Sequence, residues 1–367
     1  MNKRCRLLFR VIGICILLPL AGCAGKKETV SVDLNNLTMD ELIAGARKEG
    51  HIESVGIPDD WANWGGVWKA VTEKYGLTHH DTDMGSNEEL AIFASEKDNP
   101  TRDMGDCAFG LMPTAIEMDV VQSYKPSAWD SIPDWAKDPE GRWILGYLGT
   151  LSFIVNKDLA GRDIEIHSWQ EFKDSGLKIT TGEPTGGATQ LGMLSPAFAF
   201  GNGLDDVDAA IQFWVEMAKA GRIDTGAWGR PRVVQGEVQV MVDWDYNNLT
   251  TRDVIIESNS GMNVAVHVVA DAALQTGYCA IINKYAPHPH ASALMLEYAL
   301  SDEGQLEKVK GYASPIRDIP IPNDLLTMLI PRSEYTRAIP LTDLEKLSKA
   351  TEEITRRWQD EVVPLLF

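Results

Sequence analysis

Along most of the chain, short apolar runs bounded by turn residues alternate with stretches in which apolar side chains recur every three or four positions. The first pattern predicts strands and the second amphipathic helices. Thr38-Met39-Asp40-Glu41 has the form of a capping box ahead of Leu42, Ile43 and Ala46, and Gly50 closes that helix. Residues 51–57 read as a strand. In the helix that follows, Trp61, Trp64, Trp68, Val71 and Tyr75 fall on one stripe, and Gly76 ends it. Residues 77–83 form a second short strand. Ser86-Asn87-Glu88-Glu89 is another capping box, opening a helix to about residue 97. Residues 103–109 are a third strand, and Pro113 suits the first position of a helix.

From 124 to 143 the pattern lapses into a loop rich in Pro and Trp, and 142–156 is then a long β-type run. A second series begins with the capping box Ser168-Trp169-Gln170-Glu171. It continues with a strand over 177–181, an apolar helix over 187–200, an amphipathic helix over 205–220 closed by Gly221, and strands over 238–243 and 263–269. Residues 277–283 are another β run, and helices return over 290–300 and 342–363. Strands separated by helices argue an α/β fold, its sheets mixed, mostly parallel and flanked by helices. The β-rich runs near 147–156 and 276–283 flank one internal α/β unit. A chain that leaves one lobe, builds a second and crosses back makes a two-strand hinge with a cleft between two separately packed lobes. The expected division is lobe 1 over 38–150 and 277–320, lobe 2 over 151–276, and a C-terminal helical segment over 321–367 that the pattern assigns to neither lobe.

The N-terminus changes the picture by setting the compartment. Lys3, Arg4, Arg6 and Arg10 precede an almost wholly apolar run over 11–21 that is too short to span a bilayer, which takes about 20 apolar residues. This is the form of a signal peptide over 1–22. It ends in Leu20-Ala21-Gly22-Cys23, which resembles the lipobox of bacterial lipoproteins. That resemblance implies cleavage after Gly22, a diacylglycerol on the thiol of Cys23 and acylation of the new amine; two or more chains anchor stably where one does not. Residues 24–37 then read as a polar tether. Removing 1–22 takes away four positive charges and no negative one, moving the formal charge from −19 to −23. A mature chain this acidic is a poor partner for nucleic acid, which is bound largely through Lys and Arg. Of five cysteines, Cys107 and Cys279 remain in the body. They are expected as buried free thiols, with a bridge left open, and no paired-cysteine metal spacing exists.

Several short motifs follow one another in order: the opening helix over 40–50; Gly149-Thr150-Leu151-Ser152-Phe153-Ile154-Val155-Asn156 as a first hinge strand; Lys157, Leu159, Ser168, Trp169 and Phe172 just after it; Gly236-Glu237 before an apolar strand; and Ala313-Ser314-Pro315-Ile316-Arg317-Asp318. Together they resemble the type II periplasmic-binding-protein superfamily, in its branch of ferric-iron, thiamine, aminoethylphosphonate and polyamine binders. The resemblance implies a two-lobed binder serving an ABC importer: a monomer that meets a small-molecule ligand and permease subunits with their ATPase, touches the membrane only through its lipid, and carries no cofactor. It departs from the ferric binders, which place paired tyrosines just after the strand that follows the Gly-Glu step. Here that place reads Asp243-Trp244-Asp245-Tyr246-Asn247-Asn248, with one tyrosine.

In open α/β sheets ligands lie beyond the carboxyl ends of strands. That rule selects Asp59, Asp60 and Trp61 after the first strand, Asp83, Gly85, Ser86 and Asn87 after the second, and Asp106 after the third. In the second lobe it selects Glu183-Pro184-Thr185-Gly186-Gly187 and the 243–247 turn, and Thr150 lies on the hinge strand. Backbone N–H groups at Ser86-Asn87 and at Thr185-Gly186-Gly187 favour an anion, or simply cap helices. Asp243, Trp244, Asp245 and Tyr246 suit an ammonium group, by charge pairing and cation–π attraction, or a hard metal, or form only a capped helix start with a core indole. His79-His80-Asp81 and His288-Pro289-His290 invite a metal reading, but adjacent strand residues face opposite ways, and solvated histidines are expected. No G-x-S-x-G, H-E-x-x-H, P-loop or dinucleotide fingerprint is present, so a binder rather than an enzyme is expected. The expected solute is an organic cation or a zwitterion such as a polyamine or aminophosphonate. A metal-ion binder of the same superfamily, or a sensor lipoprotein reusing the fold, is the alternative.

Overall fold

The computed structural model describes residues 32–160, 164–184 and 186–367. The expected signal peptide, Cys23 and Thr185 lie outside them. Twelve strands order the fold among the described residues: β1 (His51–Val55), β2 (Thr78–Thr82), β3 (Met104–Ala108), β4 (Val121–Gln122), β5 (Ile144–Asn156), β6 (Ile179–Thr180), β7 (Ile223–Asp224), β8 (Val240–Trp244), β9 (Val264–Val268), β10 (Leu274–Asn283), β11 (Ser314–Pro315) and β12 (Ile339–Pro340). Their main path runs β2-β1-β3-β10-β5-β8-β6-β7. The β2-β1-β3 pairs are parallel, and β10 lies antiparallel on both β3 and β5. Beyond β5, β8 pairs with it antiparallel, and β6 and β7 follow parallel to β8 and to each other.

The two lobes meet on β5. All thirteen of its residues are buried. Residues up to Thr150 pair with β10, whereas Leu151 onward pairs with β8, and Ser152 onward also with β9. One strand therefore serves two sheets, and the second crossing is the short link from β9 to β10. This is the two-strand hinge that the paired β runs predict. Gly277 allows the crossing to pack tightly: a Cβ there would stand 1.9 Å from the carbonyl oxygen of Tyr147.

Three local expectations need correction. The helix with the Trp stripe spans Trp64–Tyr75 and does not begin at Trp61. Ala62 and Asn63 adopt positive φ, and Trp61 sits in the turn before them, its N–H donating to the Pro58 carbonyl. The helix expected over 187–200 is two, Gly187–Leu194 and Pro196–Phe200, because Pro196 cannot continue the first. The histidine pairs are engaged rather than merely solvated. His79 stacks on Trp68 with ring centroids 3.5 Å apart, His80 pairs with Glu53, His288 with Asp103, and His290 with Glu49.

The lobes are also not separately packed. Residues 32–367 form one compact unit with a core cluster that runs through the hinge. The C-terminal helix Leu344–Arg357 contributes to this continuity. It packs on Phe109–Leu111 and Met112–Glu117 of the first lobe and on Gly187–Leu194 and Val207–Lys219 of the second. Trp358, just beyond it, lies edge-on to Trp214 at 5.5 Å. Cys107 and Cys279 are buried, free and directly opposite one another across β3 and β10.

Candidate functional site

A cavity of about 430 Å³ opens between the lobes, at the carboxyl ends of the first sheet's parallel strands. Gly56, Pro58 and Trp61 follow β1, Asp83 to Ser86 follow β2, and Asp106 lies within β3. The helix Ser86–Ser95 adds Glu89. Across the gap stand Glu183, Gly186, Ala188 and Thr189, with Trp228 from the loop after β7, and Tyr278 of β10 joins them from the hinge.

Asp106 is the most heavily supported group in this wall. Its Oδ2 accepts from the Tyr147 hydroxyl at 2.5 Å and from the Trp64 indole N–H at 2.9 Å. The Trp61 indole in turn donates to the Tyr147 oxygen at 2.7 Å. Oδ1 of Asp106 is buried with no protein partner. Burial pushes this carboxyl up to about 6, against the opposing pull of Lys308. Lys308 lies behind it, fully buried, its ammonium 3.0 Å from the centre of the Trp64 ring. Glu89 is also held well above the usual carboxylate range, first by burial and then by the charges of Asp106 and Asp81. One Glu89 oxygen and the Trp228 indole N–H are buried without partners too. Unsatisfied buried polar groups are costly, and three of them border one cavity. That pattern fits a wall completed by a ligand.

The capping pattern at 86–89 hid Glu89. Helix Ser86–Ser95 is capped one residue earlier than expected: the Gly85 N–H donates to Glu88 at 3.3 Å, and the Ser86 hydroxyl accepts instead from the Ala108 N–H at 3.0 Å. Glu89 is thereby released toward the cleft. Trp228 and Tyr278 carried no sequence signal beyond their type. Glu183 follows β6, where ligands gather, whereas Asp106, expected after the third strand, lies within it.

Of the residues selected from sequence, Trp61, Asp83, Gly85, Ser86, Asp106, Glu183 and Gly186 border this cavity. Gly187 and Trp244 border a small void of about 10 Å³ beside it, and Asn87 faces a separate groove against the C-terminal helix. Asp60 forms an ion pair with Arg230 of the other lobe. The 243–246 turn lies behind the wall. Asp243 accepts from the Trp244 N–H at 2.7 Å and from the Asn247 amide. Asp245 accepts from the Thr150 N–H at 3.0 Å, the Tyr246 N–H at 2.9 Å and the Tyr335 hydroxyl at 2.8 Å. Thr150 is buried on β5, its hydroxyl accepting from Gln275. The Tyr246 ring meets Trp61 edge-on at 5.6 Å, and the Trp244 indole N–H donates to the Tyr278 hydroxyl at 3.3 Å. These four residues therefore support the cleft's aromatic face without bordering its cavity.

A family model described as "Bacterial extracellular solute-binding protein" matches residues 108–332, more than half of the chain. The chain belongs to the bacterial extracellular solute-binding proteins. Solved periplasmic binding proteins share this solute-binding protein's two-lobed fold. AfuA from Actinobacillus pleuropneumoniae, with exogenous fructose-6-phosphate bound, is 18% identical with a TM-score of 0.64, over 85% of this chain and 98% of AfuA. Iron-bound HitA from Pseudomonas aeruginosa is also 18% identical, with a TM-score of 0.64 over 83% of this chain and 98% of HitA. The Atu4243-GABA receptor is 13% identical, with a TM-score of 0.63 over 84% and 96%. No curated protein matches the sequence. Among the described residues no helix of this solute-binding protein is long and apolar enough to cross a membrane.

Proposed function

We propose that this solute-binding protein feeds an ABC importer with a small ammonium-bearing organic solute, held between its lobes, and that it stands outside the membrane on a lipid attached to Cys23. One observation carries the ligand class. Four acidic side chains (Asp83, Glu89, Asp106, Glu183), Glu89 the most reluctant to ionise, and three aromatic side chains (Trp61, Trp228, Tyr278) border the cavity, and no Lys, Arg or His stands among its described lining residues. Such walls attract an alkylammonium head by charge and by the faces of the rings, each well-placed ring adding about 0.5–2 kcal/mol. A sugar phosphate of the kind bound to AfuA would meet these acids with like charge. Iron, as held by HitA, would find oxygen ligands in the acids and Tyr278 but gains nothing from the two indoles. Lobe closure around the solute supplies the shape a permease reads, since a ligand shifts the open–closed balance only by preferring the closed form.

The test is a thermal-shift and calorimetric panel of polyamines, quaternary amines, aminophosphonates, sugar phosphates and ferric ion. An amine is expected to raise the melting temperature, by about 2.7 kcal/mol of added stability at 100 times its dissociation constant. Asp106→Asn is expected to weaken that amine at least tenfold, because the carboxylate would no longer carry charge. Stabilisation by a sugar phosphate or by ferric ion, with no response to any amine, would overturn the reading.

A further inference from the structure

Away from the cleft, on the edge of the second sheet, two imidazoles and a carboxylate converge from separate segments. One ligand atom from each of Glu165, His167 and His267 lies within 4.8 Å of the others. Glu165 and His167 come from the segment before the helix Trp169–Ser175, and His267 comes from β9. The two imidazole rings stand with centroids 4.0 Å apart, tilted by 49°. Backbone bonds hold the first segment in place. The His167 N–H donates to Glu171 at 2.6 Å, and the His167 carbonyl accepts from the Ala270 N–H at 2.7 Å.

The surroundings of His267 add an independent observation. Its Nε2 is hydrogen-bonded to Glu165, and its Nδ1 faces Glu334 at 3.9 Å. Both that Nδ1 and the facing Glu334 oxygen are buried and have no hydrogen-bond partner. A proton on Nε2 leaves a lone pair on Nδ1 pointing at a carboxylate. A cation on Nε2 reverses this: the ring proton moves to Nδ1, where it faces Glu334, and a shift of the ring toward that carboxylate brings it into hydrogen-bond reach. Carboxylates placed behind metal-binding imidazoles orient rings in this way.

We propose that Glu165, His167 and His267 form a site for a zinc-type divalent ion, with Glu334 as the outer carboxylate that orients His267. Two imidazoles and a carboxylate suit zinc, and three protein ligands leave a fourth position for water. The site would join the 164–167 segment, β9 and the turn Arg332–Tyr335, close to the hinge. It is separate from the cleft, so it stands or falls independently of the solute.

The test is dialysis of the purified protein against micromolar zinc, followed by metal quantitation, with cobalt as a spectroscopic probe. The wild type is expected to retain one ion per chain and to give visible cobalt bands of a four-coordinate site. Glu165→Gln and His167→Gln, each confirmed folded by circular dichroism, are expected to bind zinc at least tenfold more weakly. Glu334→Gln should weaken it about tenfold, as loss of an outer partner does. Asp106→Asn should retain the ion. Failure of the wild type to hold zinc, or equal retention by His167→Gln, would instead make this an imidazole held between two carboxylates. Loss of zinc in Asp106→Asn would place the ion in the cleft and overturn the site.

Discussion

Asp106 and Asp243 are both buried aspartates within short strands, but their surroundings use them differently. Asp106 keeps one oxygen bare beside the cavity, whereas Asp243 is occupied by the Trp244 amide and Asn247. No pattern along the chain separates the two, because the difference is which side of a strand end faces the gap. Asp243 has a consequence for stability. Burial pushes its carboxyl up to about 7, against the opposing hydrogen bonds. Since an unfolded aspartate titrates near about 4, the folded chain holds this proton more tightly in between. Its contribution is therefore full below about pH 4 and lost as pH rises through about 7. Asp243→Asn is expected to flatten the fall in melting temperature over that window. Parallel melting curves for wild type and variant would show that Asp243 does not titrate there.

Among the elements, those with strong local chemistry were readable in the chain. The box at Thr38–Glu41 forms as written, with the Thr38 N–H donating to Glu41 and the Glu41 N–H to Thr38. Gly50 and Gly76 close their helices in the left-handed region. The long β runs became the shared strands β5 and β10. Less readable was the phase of a helix start: at 85–89 a one-residue shift exchanged the roles of Glu88 and Glu89. Trp61 borders the gap although its helix begins later, because its position after β1 does not depend on helix phase. The hinge strands impose their own limits. Gly277→Ala would drive a methyl into the Tyr147 carbonyl and is expected to cost about 3 kcal/mol, the upper end of overpacking. Gly76→Ala meets no atom within 4 Å and should lose only about 1 kcal/mol to its positive φ. Urea unfolding midpoints would rank the two, and a smaller loss at Gly277 would mean the crossing is slack.

For the whole molecule, alternating helix and strand signals were enough to expect two lobes and a paired crossing. They did not reveal that one core runs through both lobes, since packing between distant segments leaves no local signature. The same applies to His167 and His267, a hundred positions apart and brought together only by the fold. At the rim of the gap, Asp60 and Arg230 link the lobes by an ion pair with an exposed carboxylate. Pairs of this kind are worth about 0–1 kcal/mol. Asp60→Asn is accordingly expected to change solute affinity by no more than about fivefold, measured by titration calorimetry. A loss beyond tenfold would mean that Asp60 itself touches the solute.

The C-terminal helix has footholds on both sides of that gap. A jaw clasped across its two halves cannot swing wide without the clasp slipping from one of them. Opening therefore has to peel the helix from one foothold, which narrows the span between the vacant and the filled outline. A solute that prefers the closed form then has a shorter travel to complete, and the transporter reads a correspondingly finer difference in outline.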